Sequence, residues 1–147
     1  MDNYQIQIIF QLVIAVVLGA AIGLEREYKG KEAGLQTYSL VSLGACVFTL
    51  LSFELFNFFS GKLGVAFDPS RIILAVATGI GFIGAGVIIY REFHIEGITT
   101  AAGLWCTAAV GVAVGAELYL LALVATFLAI IVLVGFGEFE RSFLNKK

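Results

Sequence analysis

Five long apolar runs separated by short polar breaks set the pattern of this chain. They cover Gln5–Leu24, Thr37–Phe58, Ser70–Tyr90, Ile98–Ala116 and Leu118–Phe136. Each is close to the roughly 20 residues that a helix rising 1.5 Å per residue needs to cross bilayer hydrocarbon. The pattern predicts an all-α fold, a polytopic membrane bundle of five transmembrane helices in a single domain over residues 1–147. The last break is the weakest. Gly115, Ala116 and Glu117 alone mark it, so a tight helical hairpin and one long kinked helix both fit. Pro69, the single proline, lies between runs and interrupts none.

Composition agrees with a lipid solvent. The chain is 60% hydrophobic and 14% charged, with a mean hydropathy of +0.99. Soluble domains are roughly 45–50% apolar and about 25% charged, and a core of this size would not hide the excess. The opening MDNYQIQ lacks the basic n-region of a cleaved secretory signal, so the first run is expected to remain as a span. A net charge of −2 with no basic cluster gives no sign of nucleic-acid binding.

Lysine and arginine set the expected orientation. Arg26, Lys29, Lys31, Arg91, Arg141, Lys146 and Lys147 fall on one side of a five-span arrangement, against Lys62 and Arg71 on the other. The positive-inside rule places the seven in the cytoplasm, with the N-terminus outside and the C-terminus cytoplasmic.

Glycine is the next signal, and it is densest in Ala75–Tyr90, AVATGIGFIGAGVIIY, which holds Gly79, Gly81, Gly84 and Gly86. Gly79-Ile-Gly81-Phe-Ile-Gly84 matches G-x-G-x-x-G. A dinucleotide fingerprint also needs a preceding strand, a following helix and an acidic residue about 20 positions on. This run instead sits in an uncharged span, where glycine lets another helix approach closely. Gly19 and Gly23 form G-x-x-x-G in the first run. Gly103, Thr107, Gly111 and Gly115 form a ladder in the fourth, and Ala77, Gly81 and Ala85 a stripe in the third. Residues four apart share a helix face. Spans one, three and four are therefore expected to meet there, around the third, leaving the Phe- and Leu-rich second and fifth spans to lipid.

That convergence would gather the cytoplasmic helix ends. Glu25, Arg26, Thr37, Arg91, Thr99 and Thr100 would line one shallow polar vestibule, with Glu25, Arg26 and Thr99 facing each other. Taken singly, such charges are as well explained as interfacial anchors. At the other side Asp68, Pro69 and Ser70 suit a helix start. Asp68, Glu54 and Glu117 are acids that would attract a cation such as Mg²⁺, but carboxylates so scattered make no recognisable cage, and the metal site is left unknown. Cys46 and Cys106 are read as small buried apolar residues at a shared depth, and Trp105 as packed between helices. A lone His94 builds no metal site, and no Ser/His/Asp or Cys/His set is available, so no catalytic residue and no enzyme activity are expected.

Four ordered blocks, GAAIGLEREYKGKEAGLQTYSLVSLGA (Gly19–Ala45), DPSRI (Asp68–Ile72), TGIGFIGAGVI (Thr78–Ile88) and GITTAAGLWCTAAVGVAVG (Gly97–Gly115), resemble the MgtC/SapB membrane family. The resemblance spans nearly the whole chain. It implies a bacterial inner-membrane domain associated with magnesium limitation and stress survival. The family is often labelled as transporting magnesium, while its better-studied members look like regulators that bind other membrane proteins, including the F-type ATP synthase. Two departures stand out. Where that family has G-L-N-T-A-A, this chain has Gly97-Ile98-Thr99-Thr100-Ala101-Ala102, so a hydroxyl replaces an amide at Thr99. The family's C-terminal cytoplasmic domain has no counterpart after the fifth run, which suggests the shorter, membrane-only form.

The expected function is that of a non-enzymatic regulator working through helix contacts, with no cofactor unless Mg²⁺ itself. Its expected partners are the bilayer, other membrane proteins and a second copy in a homo-oligomer such as a dimer. The alternative is a small magnesium or other ion transporter. Transport paths usually carry ionisable groups near mid-membrane, and these spans place none there.

Overall fold

Inside lipid every backbone N–H and C=O must be paired within the chain, which leaves helices as the form available to apolar runs like these. A computed structural model describes residues 2–62, 67–91 and 94–136. It contains α1 (Asn3–Tyr28), α2 (Leu35–Phe59), α3 (Ser70–Val87), β1 (Ile89–Arg91), β2 (His94–Glu96), α4 (Ile98–Gly115) and α5 (Tyr119–Ile131), the last running on as a π-helical turn, Val132–Phe136. All five helices are long and apolar enough to cross a membrane, the fifth when Tyr119–Phe136 is taken as one segment.

Two boundaries differ from expectation. The third helix stops at Val87 rather than Tyr90. The β-branched and aromatic residues that follow favour extended backbone, and Ile89–Arg91 pairs antiparallel with His94–Glu96, Tyr90 opposite Ile95. Gly97 then turns the chain into α4 with φ of 86°. A Cβ at Gly97 would collide with the carbonyl oxygen of Val87, so this position requires glycine twice over. At the other break, α4 and α5 form a tight hairpin, not a kinked rod. Glu117 takes the left-handed conformation (φ 64°). Leu118 N–H then reaches the Ala113 carbonyl at 2.8 Å, and Glu117 N–H the Val114 carbonyl at 3.0 Å. These are the two bonds of a Schellman helix end, with glutamate where glycine is usual.

The packing order overturns the expected one. The second helix, expected to face lipid, lies at the centre between α1 and α4. Its buried residues are Tyr38, Ser42, Ala45, Cys46, Thr49 and Ser52, a narrow seam of mostly small side chains. The glycines of α1 and α4 close on that seam. A Cβ at Gly19 would lie 2.6 Å from the Tyr38 carbonyl oxygen and 2.8 Å from Ser42 Cβ. One at Gly23 would lie 2.8 Å from Tyr38 Cβ, and one at Gly115 2.8 Å from Thr49 Cβ. One at Gly103 would meet the Tyr38 hydroxyl, and one at Gly111 the Ser42 carbonyl. Ile22, Leu104, Val110 and Val114 fill the remaining interior.

The third helix is peripheral. It rests on α4 and, less extensively, on α2, and shares no packed face with α1 among the described residues. Only Ile80 and Gly84 of α3 are buried. A Cβ at Gly79, Gly81 or Gly86 would meet nothing within 4 Å, and one at Gly84 would make ordinary contact with Ala101. The glycine-dense run therefore does not organise the bundle. Trp105 is likewise not packed between helices but 56% exposed. The two cysteines are free and do not share a depth. The Cys46 carbonyl lies 2.9 Å from where a Cβ on Gly115 would sit, and Cys106 is nine residues earlier in α4, about 13 Å along the axis.

This arrangement sorts the glycines. Gly19→Ala or Gly111→Ala is expected to lower stability in detergent by about 1–3 kcal/mol, the usual cost of overpacking. Gly81→Ala is expected to be neutral or mildly stabilising, as alanine is the better helix former by about 1 kcal/mol. Thermal unfolding of the three variants checks this ranking.

Candidate functional site

The charged end of the bundle is built by three turns of chain meeting over α2. The last turn of α1 carries Glu25 and Arg26, and Lys29 caps its C-terminal end. The α1–α2 connection adds Lys31 and Glu32, and the β2–α4 junction adds Glu96, Thr99 and Thr100. With the π turn of α5 they enclose a cavity of about 850 Å³ lined by Arg26, Lys29, Lys31, Glu32, Glu96, Thr99 and Thr100 on its polar side, and by Ile95, Ile98, Val132, Leu133 and Phe136 on its apolar side.

Arg26 is the anchor. It is only 3% exposed, because it follows Ile22 by one turn on the buried stripe of α1. A guanidinium in such a place needs a partner, and Glu25 supplies a two-point one: Nε donates to Oε2 at 2.5 Å and Nη2 to Oε1 at 2.9 Å. Lys29 adds a second cation to Glu25 at 2.8 Å, one turn on. The Lys29 ammonium also donates to the Leu133 carbonyl at 3.3 Å, in the π turn. Below this layer the Tyr38 hydroxyl, fully buried, donates to the Thr100 carbonyl at 3.1 Å, tying α2 to the first turn of α4. Thr100 Oγ1 donates to Glu32 Oε2 at 3.2 Å, and Leu35 N–H to Glu27 Oε2 at 3.1 Å.

The expected vestibule is therefore assembled in part and from a different set. Arg26, Thr99 and Thr100 share the cavity. Glu25 stands behind it as the partner of Arg26. Of the two threonines, Thr100 is buried and bonded, whereas Thr99 is exposed, since one residue rotates a helix position by about 100°. Thr37 does not join the cluster. It lines a separate apolar groove of about 720 Å³ between α2, α3 and α4, with Val41, Gly44, Phe48, Gly79 and Ile83. The backbone of Arg91 lies in β1 and its side chain falls outside the described residues, as do Arg141, Lys146 and Lys147. Glu32 and Tyr38 are not among the residues expected in the cluster, whereas Lys29 meets Glu25 as the spacing of four predicts. Tyr38 had a signal, as the first member of a small-residue repeat at spacings of four and three. The Lys29–Leu133 contact depends on a π turn that no pattern announces.

The opposite end is held by single polar contacts. Gln11, 2% exposed, donates from Nε2 to the Val114 and Gly115 carbonyls at 3.3 and 3.4 Å, satisfying oxygens that the end of α4 leaves open. Gln7 donates to Glu117 at 2.8 Å, and the Tyr4 hydroxyl to Glu54. Asp68 Oδ1 accepts from the Ser70 hydroxyl at 2.7 Å and from Ser70 N–H at 2.9 Å, which holds its carboxyl below the usual aspartate range. The three acids that were candidates for attracting a cation thus serve three separate contacts. Among the described residues no three His, Cys, Asp or Glu side chains gather in a way that would hold a metal.

A family model described as MgtC family matches residues 12–142. The chain is 39% identical over 140 residues to the Escherichia coli K12 protein named "Putative magnesium transporter YhiD", covering 95% of this chain and 65% of that one. It is 36% identical over 140 residues to protein SrpB of Synechococcus elongatus, covering 90% and 76%. It is 42% identical over 118 residues to protein MgtC of Brucella abortus, covering 80% and 46%. The chain thus spans somewhat under two thirds of YhiD and less than half of the Brucella protein. No solved structure matches it.

Arg26→Ala is expected to lower stability in detergent by about 1–3 kcal/mol, below the 3–5 kcal/mol for breaking a fully buried pair because Lys29 still faces Glu25. Arg26→Lys should restore only part of it, lacking the two-point geometry. At the other end, Ser70→Ala should raise the titration midpoint of Asp68, read by carboxyl NMR, part of the way toward the ordinary aspartate value, because the bond from the residue-70 N–H remains. In the parent protein that folded-state midpoint lies lower. The α3 start is then at full strength above the unfolded pKa of about 3.9 and weakens as pH falls through the folded one.

Proposed function

This chain belongs to the MgtC family, and from that premise we propose that it acts as a non-enzymatic regulator of magnesium homeostasis in the bacterial inner membrane, working through helix contacts with other membrane proteins. The observation that carries this reading is the unpartnered face of α3. Gly79, Gly81 and Gly86 open onto empty space, Phe82 is 85% exposed, and an apolar groove runs beside them against α2 and α4. Bare glycine backbone in a bilayer is the surface a second helix uses. That helix comes from a partner protein or from a second copy of the chain. In this reading the charged end, with Arg26, Lys29 and Lys31, faces the cytoplasm.

The alternative, a conduit for magnesium or another ion, draws on the name given to YhiD. The packing favours the regulator. The polar cavity ends at Thr100 and Tyr38, and beyond it Leu104, Val110 and Val114 close the interior. A charged route would need ionisable groups at that depth.

Two assays on the full chain separate the readings. Affinity purification from native membranes is expected to recover a stoichiometric membrane partner, with recovery reduced by Gly81→Leu. Liposomes holding correctly inserted pure protein are expected to take up magnesium no faster than empty ones. Repeated recovery of the protein alone, together with magnesium flux, would reverse the assignment.

A further inference from the structure

Trp105 is the chain's single tryptophan, and neither the bundle interior nor the charged end uses it. It stands seven residues into α4, about 10 Å along the axis from Ile98, and 56% of it is exposed. Membrane tryptophans usually lie in the belts at the two interfaces, where the indole N–H meets water or headgroups. Deeper in the hydrocarbon a lipid tail offers that donor no acceptor. None of the hydrogen bonds among the described residues uses it either.

The indole leaves the bundle on a face that α3 and α4 share. The β1–β2 hairpin reverses the chain, so the two helices run antiparallel, and they touch where Gly84 meets Ala101. Three residues back from Gly84 and three on from Ala101, Gly81 falls level with Leu104. It is therefore within one residue's rise, about 1.5 Å, of the level of Trp105. Ala77, Gly81 and Ala85 are exposed along one side of α3, and Ala102, Trp105 and Ala109 along one side of α4. None of the six lines the apolar groove against α2, so they form the opposite flank of α3. A Cβ at Gly81 would meet nothing within 4 Å. The face thus carries one large knob and, at the same depth, one bare hole.

We propose that this face binds the same face of a second copy of the chain, in a two-fold dimer whose axis runs along the bilayer normal. Such an axis preserves depth, so a knob finds its own hole in the other copy only if both stand at one level on one face. Trp105 and Gly81 meet that condition, which a contact with an unrelated protein would not require. The indole of each copy lies on Gly81 of the other. Its N–H donates to the Ala77 carbonyl, which a side chain four residues on would otherwise cover and which keeps a lone pair beyond its helix bond. Charge permits the pairing. α4 has no charged residue and α3 only Arg71 at its start, so no like charges meet at this depth. Two adjacent helices about 27 Å long and about 20 Å wide together bury roughly 1,000 Å² over both copies, the lower bound for a specific interface. The inference rests on the reading of α3 as a contact surface and names the occupant of one flank. The groove on the other flank stays open to a different protein.

A single tryptophan makes the contact readable in the unmodified full chain. The protein is reconstituted at rising protein-to-lipid ratio into phosphatidylcholine liposomes whose acyl chains carry bromine, which quenches an indole on contact. Trp105 is expected to be quenched at high dilution and protected as density rises, in step with energy transfer between dye-labelled copies. Gly81→Leu fills the hole, so it should keep the indole quenched and weaken association about tenfold or more, the loss typical of a central interface position. Trp105→Ala, read by energy transfer alone, should weaken association as much, and Trp105→Phe, which removes the N–H, about threefold. Gly79→Leu, on the groove flank, should behave as the parent. All three positions are exposed, so the fold should tolerate these changes, and an unchanged melting temperature at high dilution checks that. Quenching that is the same at every density in parent and variants alike, or association indifferent to Trp105→Ala and Gly81→Leu, would overturn the dimer and leave the face to lipid or to another protein. These measurements use pure protein, so their failure leaves the regulator reading to be judged separately by partner recovery from native membranes.

Discussion

Everything in this bundle depends on backbone reaching backbone along one helix. Lipid tails are as apolar as leucine, so hydrophobic burial gives transmembrane helices little reason to associate, and close van der Waals contact has to supply it. Here α2 offers a seam of Ser42, Ala45, Thr49 and Ser52, and the bare faces of α1 and α4 close on it from two sides. The hydroxyls on this seam and its neighbours mostly turn inward on their own helices. Thr49 and Thr107 each donate to the carbonyl four residues earlier at 2.8 Å, so a small polar side chain costs little in a dry interior. Ser42 Oγ, between Gly19 and Gly111, is the one buried side-chain polar atom without a partner among the described residues. That exception sits where the helices are closest, and any longer side chain there would part them.

The charged end is a consequence of the same closeness. The buried stripe of α1 that puts Gly19 and Gly23 on α2 continues one turn to Arg26, so the guanidinium is drawn into the interior edge and not left at the surface. Glu25 and Lys29 follow because an arginine held there needs a carboxylate, and the carboxylate then accommodates a second cation. On the α4 side, the contact of Gly103 with Tyr38 brings the Tyr38 hydroxyl to the Thr100 carbonyl and fixes the first turn of α4 over the cavity. The polar cavity is therefore positioned by the packing of the apolar interior beneath it.

The number of spans, their class and most of their limits were legible, because length and hydropathy are all that crossing a bilayer demands. Which faces meet was not. Glycine spacing shows that a helix has a smooth side, but it does not say what that side touches; Gly19, Gly23, Gly103, Gly111 and Gly115 all lie against α2. The seam on α2 was hidden by its own Phe and Leu residues, which dominate the average while Ser42, Ala45, Thr49 and Ser52 repeat at spacings of three and four beneath it. In α3 the opposite holds: Gly79, Gly81 and Gly86 crowd together in sequence, yet a Cβ at any of them would meet nothing within 4 Å. At the charged end Glu25 and Arg26 stood out because they abut an apolar run. The choice between Thr99 and Thr100, and the reach of Lys29 to a π-turn carbonyl, depend on helix rotation and on local backbone geometry that a one-dimensional pattern does not contain.

The account turns on which surfaces lipid sees. Photolabelling of the unmodified protein in its native membrane with a lipid-soluble carbene reagent, mapped residue by residue by mass spectrometry, measures this directly. The structure predicts heavy labelling on α5 at Leu120 and Phe127, and none along Ser42, Ala45 and Thr49 of α2. Labelling of that α2 seam at a level comparable to α5 would contradict it.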